Sequence, residues 1–92
     1  PYYRFQLARE AFRSADYDAA IGYLNDAIRR KKNDDQFYFL LGLTHLRKGD
    51  EQAARRWLSR AEKVAATDAL KRGYASKMDI LLPPPQEERR PE

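Results

Sequence analysis

The residues best suited to chemistry in this sequence are a single histidine and two pairs of closely spaced aspartates. His45 lies among apolar residues at helical spacing, where a histidine packed between helices is much more common than a catalytic one. Asp16 and Asp18, and Asp34 and Asp35, stand where helices are expected to begin. Capping of free backbone N–H groups therefore explains these carboxylates without acid–base chemistry. We predict that the protein is not an enzyme.

The composition gives no indication of a metal or cofactor. The chain has no cysteine and one histidine, so no thiolate or histidine cluster is available to a metal. Its four glycines are dispersed and form no phosphate-binding loop. We expect no cofactor. The lack of cysteine leaves the redox compartment open, and localisation is not predicted beyond a slight preference for the cytoplasm over the periplasm or another compartment.

Length and hydropathy indicate one small domain. The 92 residues are 42% hydrophobic and 35% charged, with a net charge of +4, which is typical of an ordered chain rather than a disordered one. No apolar run approaches the roughly 18 residues of a membrane span, so none is expected. The start at Pro1, without an initiator methionine or a signal pattern, suggests a cut fragment or a processed chain.

Apolar residues at helical spacing predict five helices and no strand. We expect Asp16, Asp50 and the pair Thr67-Asp68 to cap the second, fourth and fifth helices, and Gly49 to end the third. Pro83-Pro84-Pro85 ends the fifth helix, because proline lacks the backbone N–H. The expected helices span about residues 2–14, 17–30, 36–48, 51–66 and 69–82.

The sequence nearly repeats itself at a period of 34 residues. The matched pairs are Leu7 and Leu41, Ala8 and Gly42, Asp16 and Asp50, Ala20 and Ala54, Leu24 and Leu58, and Ala27 and Ala61. A fixed period of this size indicates a stack of helical hairpins. The recurrent alanines and Gly42 let neighbouring helices approach closely, while the leucines fill the remaining volume.

Together with the run Asp16-Tyr17-Asp18-Ala19-Ala20-Ile21, these positions resemble the tetratricopeptide repeat. The resemblance implies an all-α solenoid of two repeats, residues 1–34 and 35–68, with a capping helix at 69–82. The charged remainder, 83–92, is expected to be a disordered tail. Arg4 and His45 depart from the bulky apolar or aromatic residues usual in the family, and Lys32 and Ala66 replace its proline.

In this family the first helices of the repeats line a concave groove that binds protein segments. The resemblance therefore implies an interaction module that holds an apolar or amphipathic segment of a partner, or of a second copy as a homodimer. Cations stand at the groove edges, with Lys77 among them. The predicted site residues are Phe5, Arg9, Arg13, Phe39, Leu40, Leu43, Arg47 and Tyr74. Alternatively, the apolar members of this set cover one another and leave no open site.

Some members of the family hold a terminal carboxylate with a clamp of lysine, asparagine and arginine. Phe5, Arg9, Leu40, Leu70 and Tyr74 stand at the clamp positions here, so chaperone-tail binding is not expected.

The fifth helix has two possible orientations. Its apolar stripe is Leu70, Tyr74, Met78 and Leu81, whereas the family register places Arg72, Ala75, Ser76 and Asp79 toward the core. Either the helix keeps register and shows its stripe to the groove, or it rotates and buries the stripe against the fourth helix. The rotated cap is slightly favoured.

A different class of function would use the second helices. A basic stripe formed by Arg29-Arg30-Lys31-Lys32, Arg55-Arg56, Arg60 and Lys63 would suit nucleic acid or an acidic partner. No nucleic-acid motif accompanies it and acidic residues interleave, so this is the less favoured alternative.

Overall fold

The structure is a computed structural model that describes residues 1–84, and within them it consists of five α-helices without a strand. The helices are α1 (Tyr2–Arg13), α2 (Tyr17–Arg30), α3 (Asp35–Lys48), α4 (Glu51–Val64) and α5 (Asp68–Leu81). The predicted all-α fold is confirmed, and the predicted helix bounds differ by at most two residues. Pro83 and Pro84 follow α5 without helical structure. The rest of the expected disordered tail, residues 85–92, lies outside the described part of the chain.

Four of the five helices begin with a side-chain cap. Asp16, Asp50 and Thr67 each accept a hydrogen bond from the backbone N–H three residues later, at 3.3, 3.1 and 3.1 Å. Asp34 accepts from the N–H of Gln36 at 3.0 Å. These bonds satisfy donors that a helix leaves free at its first turn, so the aspartates act as caps, as their positions predict.

The turns inside the two hairpins have the same backbone geometry. In each turn the N–H of the capping aspartate donates to the carbonyl five residues earlier, at 2.8 Å for Asp16 and 2.9 Å for Asp50. The preceding residue is left-handed in both, with φ of 62° at Ala15 and 92° at Gly49. This is a Schellman-type helix end, for which glycine is the usual residue. The 34-residue period of the sequence is therefore also a period of the backbone.

Small residues lie where helices approach most closely. A Cβ built on Gly42 would stand 2.7 Å from the side chain of Leu58 and 3.2 Å from its backbone nitrogen. A larger residue at position 42 would thus push α3 away from α4. The alanines of the repeat pattern are likewise without exposed area: Ala8, Ala20, Ala27, Ala54 and Ala61.

The hairpins α1–α2 and α3–α4 stack through contacts between α2 and α3, and α5 packs against α4. The first core cluster comprises Ala8, Leu24, Ala27, Phe37, Leu40 and Leu41. The second comprises Ala54, Leu58 and Leu82, with Phe39, Leu46, Met78 and Leu81 packed against it. The two clusters join each hairpin to the helices that follow it. A small repeat protein needs these contacts, because neither hairpin alone encloses its apolar face.

Helix α5 keeps the register of α3 and is not rotated. Its partly buried residues Lys71, Tyr74, Ala75 and Met78 stand 34 residues after Phe37, Leu40, Leu41 and Thr44, which are buried in α3. These are the positions by which α3 packs against the preceding hairpin. Since α5 uses the same positions, it keeps this register. Its apolar stripe is nevertheless divided between the two expectations: Tyr74 contacts Phe39 of α3, whereas Met78 and Leu81 pack against the cluster that contains Leu58 of α4.

The predicted core-facing set of α5 also needs correction. Arg72, Ser76 and Asp79 are exposed, and only Ala75 is partly buried. In α3 the equivalents of the first two are Tyr38, which stacks on Trp57, and Gly42, which contacts Leu58. Within residues 1–84 α5 has no following helix to contact, so a face that packs in α3 is polar and open to solvent in α5.

Candidate functional site

Side chains from α1, α3 and α5 surround a shallow groove of about 420 Å³. The three helices occupy equivalent places in successive hairpins, so their side chains converge on one face of the stack. The lining residues are Phe5, Arg9, Gln36, Phe39, Leu40, Leu43, Tyr74 and Lys77. This set is called the groove below.

The floor of the groove is aromatic. The rings of Phe39 and Tyr74 lie 5.4 Å apart between centroids at an interplanar angle of 49°. At the other end Phe5 packs on the buried Phe37, with centroids 5.2 Å apart. Phe5, Phe39 and Tyr74 remain partly exposed, whereas Leu40 is almost fully covered.

Two cations stand over this aromatic floor. The Nζ of Lys77 lies 5.6 Å from the Phe39 centroid and 5.4 Å from the Tyr74 centroid. The guanidinium of Arg9 lies 5.9 Å from the centroid of Phe5. Such cation–π contacts hold the charges beside apolar surface while their N–H groups stay available to an acceptor. The groove is therefore apolar at its floor and basic at its edges.

Tyr74 also ties α5 to the start of α3. Its hydroxyl donates a hydrogen bond to the carboxylate of Asp35. Burial, and then the hydrogen bond to Asp35, raise the pKa of the Tyr74 hydroxyl well above its usual range. The phenol thus stays protonated and keeps its ring fixed against Phe39 over the physiological pH range.

Six of the eight predicted site residues line the groove: Phe5, Arg9, Phe39, Leu40, Leu43 and Tyr74. Leu40 contributes little surface, because only 8% of it is exposed and it belongs to the first core cluster. Arg13 and Arg47 do not line the groove. The guanidinium of Arg47 instead lies 5.0 Å from the ring centroid of Phe12.

Gln36 lines the groove but was not predicted. It precedes Phe39 by three residues and Leu40 by four, which places it on the same helical face. This spacing was the available signal.

A second concavity, of about 520 Å³, lies between α2, the start of α3, and α4. We call it the second-helix pocket, and Ile28, Tyr38, Arg56, Trp57, Ser59, Arg60 and Lys63 line it. The predicted basic stripe is divided in the structure. Arg56, Arg60 and Lys63 belong to this pocket, whereas Arg29 pairs with Asp26, and Lys31 lies 3.6 Å from Asp34.

His45 is partly buried in α3, and burial lowers its pKa below the usual value, so it is held neutral at physiological pH. In residues 1–84 there is no group of three or more histidine, cysteine, aspartate or glutamate side chains placed to bind a metal ion. None of the helices described is long and apolar enough to cross a membrane.

The fold and its groove define a class of protein, the α-helical repeat scaffold. The model of the tetratricopeptide repeat family matches residues 5–70, more than half of the chain. The chain belongs to the tetratricopeptide repeat family, as the repeat pattern predicts. Its members are generally protein–protein interaction modules. No curated protein and no solved structure matches the chain significantly.

Proposed function

We propose that this module binds an apolar or amphipathic segment of a partner protein in the groove. The observation that carries the proposal is the partly exposed Phe39–Tyr74 floor with Lys77 over both rings. An apolar side chain of the partner gains free energy by burial against these rings. An acidic group beside it would meet Lys77 or Arg9. The segment best matched to the groove combines the two.

The size of the groove limits the affinity. Full burial of a large apolar side chain contributes about 1.5–3 kcal/mol at most. The groove rings are already partly buried by their neighbours, and ordering a segment opposes binding. We therefore expect dissociation constants on the order of micromolar for a single segment.

A pull-down with the double variant Phe39→Glu, Leu43→Glu tests the site. Carboxylates on the floor would be desolvated by an apolar segment, so we expect loss of the proteins that the wild-type bait captures. The matched control is Tyr3→Glu, Ile80→Glu, which adds the same two charges at side chains that are 72% and 78% exposed. The control should capture the same proteins as the wild type.

Equal capture by all three baits would contradict the proposal. Circular dichroism of each bait verifies that the groove variant is folded, since Phe39 also packs against the second core cluster. Leu43→Glu alone, at a partly buried position outside both clusters, provides a milder variant that retains Phe39. Light scattering of the same proteins tests the homodimer prediction. A dimer formed through the groove would give twice the monomer mass for the wild type and the control, and the monomer mass for the groove variant.

Nucleic-acid binding along the second helices is less well supported. Of the four consecutive cations at residues 29–32, two have partners of their own: Arg29 with Asp26, and Lys31 with Tyr2 and Asp34. These pairings interrupt a continuous track for a phosphate backbone.

A further inference from the structure

The second-helix pocket has a chemistry different from that of the groove. Arg56, Arg60 and Lys63 follow one another at spacings of four and three residues, so they share one face of α4. This stripe extends over about 10 Å of helix. Trp57 and Ile28, both partly buried, add apolar surface beside it.

These three cations have no acidic partner in the part of the chain that the structure describes. No aspartate or glutamate lines the pocket, and none of the three forms an ion pair. Cations three and four residues apart on a helix repel one another. An anionic ligand would relieve this repulsion, and the charge complementarity of the pocket therefore indicates its occupant.

We propose that the second-helix pocket binds a short acidic segment of a partner protein, with two or three carboxylates and a neighbouring aliphatic side chain. The carboxylates accept hydrogen bonds from Arg56, Arg60 and Lys63, and the aliphatic group packs between Trp57 and Ile28. In an extended segment, alternate residues stand about 6.6 Å apart and point to one side. Two or three carboxylates at alternate positions therefore match the stripe, and an aliphatic residue at the next alternate position lies on the same side.

The burial and stacking of the aromatic rings in the pocket favour a peptide ligand over a nucleic acid. Single-stranded nucleic acids bind basic surfaces largely by stacking bases on free aromatic faces. Tyr38 is only 3% exposed and its hydroxyl donates to the Lys32 carbonyl at 2.7 Å, so it offers no face. Trp57 is stacked on Tyr38, with centroids 5.8 Å apart and an interplanar angle of 13°. Carboxylates, unlike bases, need only the outward N–H groups of the cations.

Trp57 is the only tryptophan of the chain, so its fluorescence reports directly on the pocket. The experiment titrates the 92-residue chain with a peptide of about eight residues, in which alternate positions carry three glutamates and then one leucine, with serines between them. This length covers the stripe. The same peptide with lysine in place of glutamate, and a single-stranded oligothymidylate, are the comparison ligands. We expect a saturable change in Trp57 emission with the acidic peptide only, and weaker binding as salt is raised.

The double variant Arg60→Gln, Lys63→Gln removes two pocket cations. We expect it to bind the acidic peptide at least about tenfold more weakly, because each charged hydrogen bond contributes strongly to affinity. The matched control Arg55→Gln, Arg72→Gln removes the same charge from exposed side chains outside the pocket and should bind within about twofold of the wild type. Arg56→Gln provides a second, single-site variant in the pocket.

Three results would overturn the proposal. The first is no saturable change in Trp57 emission with the acidic peptide. The second is an equal loss of binding in the pocket and control variants, which would indicate attraction to net charge alone. The third is tighter binding of oligothymidylate than of the acidic peptide. The groove variants leave this pocket intact, so its failure and that of the groove can be told apart.

Discussion

At the scale of single residues, Tyr74 connects the groove with the packing of the last helix. Its ring forms part of the groove floor against Phe39, and its hydroxyl donates to Asp35 at the start of α3. Lys77 lies over the same ring. The Tyr74 side chain therefore contributes both to the shape of the groove and to the packing of α5 against α3.

Replacing Tyr74 with phenylalanine should destabilise the fold in a pH-dependent way. We expect a loss of about 1 kcal/mol near neutral pH, because the hydrogen bond to a carboxylate is partly solvated. The pKa of the hydroxyl is raised in the folded state, so this stability is fully present below the ordinary tyrosine pKa of 10.0 and is lost as pH rises above it. Urea unfolding at several pH values between neutral and strongly alkaline would measure the difference.

The control for this prediction is Tyr3→Phe, at a ring that is 72% exposed. Its unfolding free energy should stay close to that of the wild type across the same pH range. If Tyr74→Phe lost no stability at neutral pH, or if its difference from the wild type grew above pH 10, the proposed role of the hydroxyl would be wrong.

The sequence predicted most of the groove because the 34-residue period assigns equivalent positions to α1 and α3. The same period placed Arg47 at the groove. In the structure its guanidinium lies over the ring of Phe12 instead. Such a contact depends on side-chain distances that spacing does not contain. The near burial of Leu40 likewise depends on how closely α2 and α3 pack.

At the scale of helices and turns, the two hairpin turns share a geometry but differ in one residue. Gly49 occupies the left-handed position of the second turn, and Ala15 occupies the equivalent position of the first. The left-handed conformation costs a residue with a Cβ roughly 1–2 kcal/mol. The first turn therefore retains strain that the second does not.

Ala15→Gly should stabilise the protein by about 0.5–1 kcal/mol. The relief of strain exceeds the entropy that glycine loses on folding. Gly49→Ala should have the opposite effect, a loss of about 1 kcal/mol. Thermal or urea unfolding of both variants checks the signs, with Ala69→Gly in helix α5 as a control expected to lose stability. A destabilising Ala15→Gly would contradict the equivalence of the two turns.

The orientation of α5 shows what the sequence left undetermined at this scale. Its apolar stripe fits both a rotated and an unrotated helix, because a helix that contacts neighbours on one side only needs a single buried face. In the structure Tyr74 and Met78 are partly buried, and they stand 34 residues after the buried Leu40 and Thr44. Helix α5 therefore has the orientation of α3. The caps at Asp16, Asp50 and Thr67 were predictable, since they depend on local backbone geometry alone.

At the scale of the whole molecule, the stack presents two concave surfaces of different chemistry. The groove combines aromatic rings with cations at its edges, and the second-helix pocket combines a cationic stripe with Trp57. The first helices line one and the second helices line most of the other. The two proposals together imply that the module holds two segments, or two parts of one partner, at once.

Amide hydrogen exchange of the chain, alone and with a captured partner, tests the central claim that the groove binds the partner. We expect slower exchange in the segments that line the groove, residues 36–43 in α3 and 74–77 in α5, and a smaller effect at residues 5–9. The effect should disappear with the Phe39→Glu, Leu43→Glu variant. Partner-induced protection confined to α2 and α4, with exchange in α3 and α5 unchanged, would contradict it.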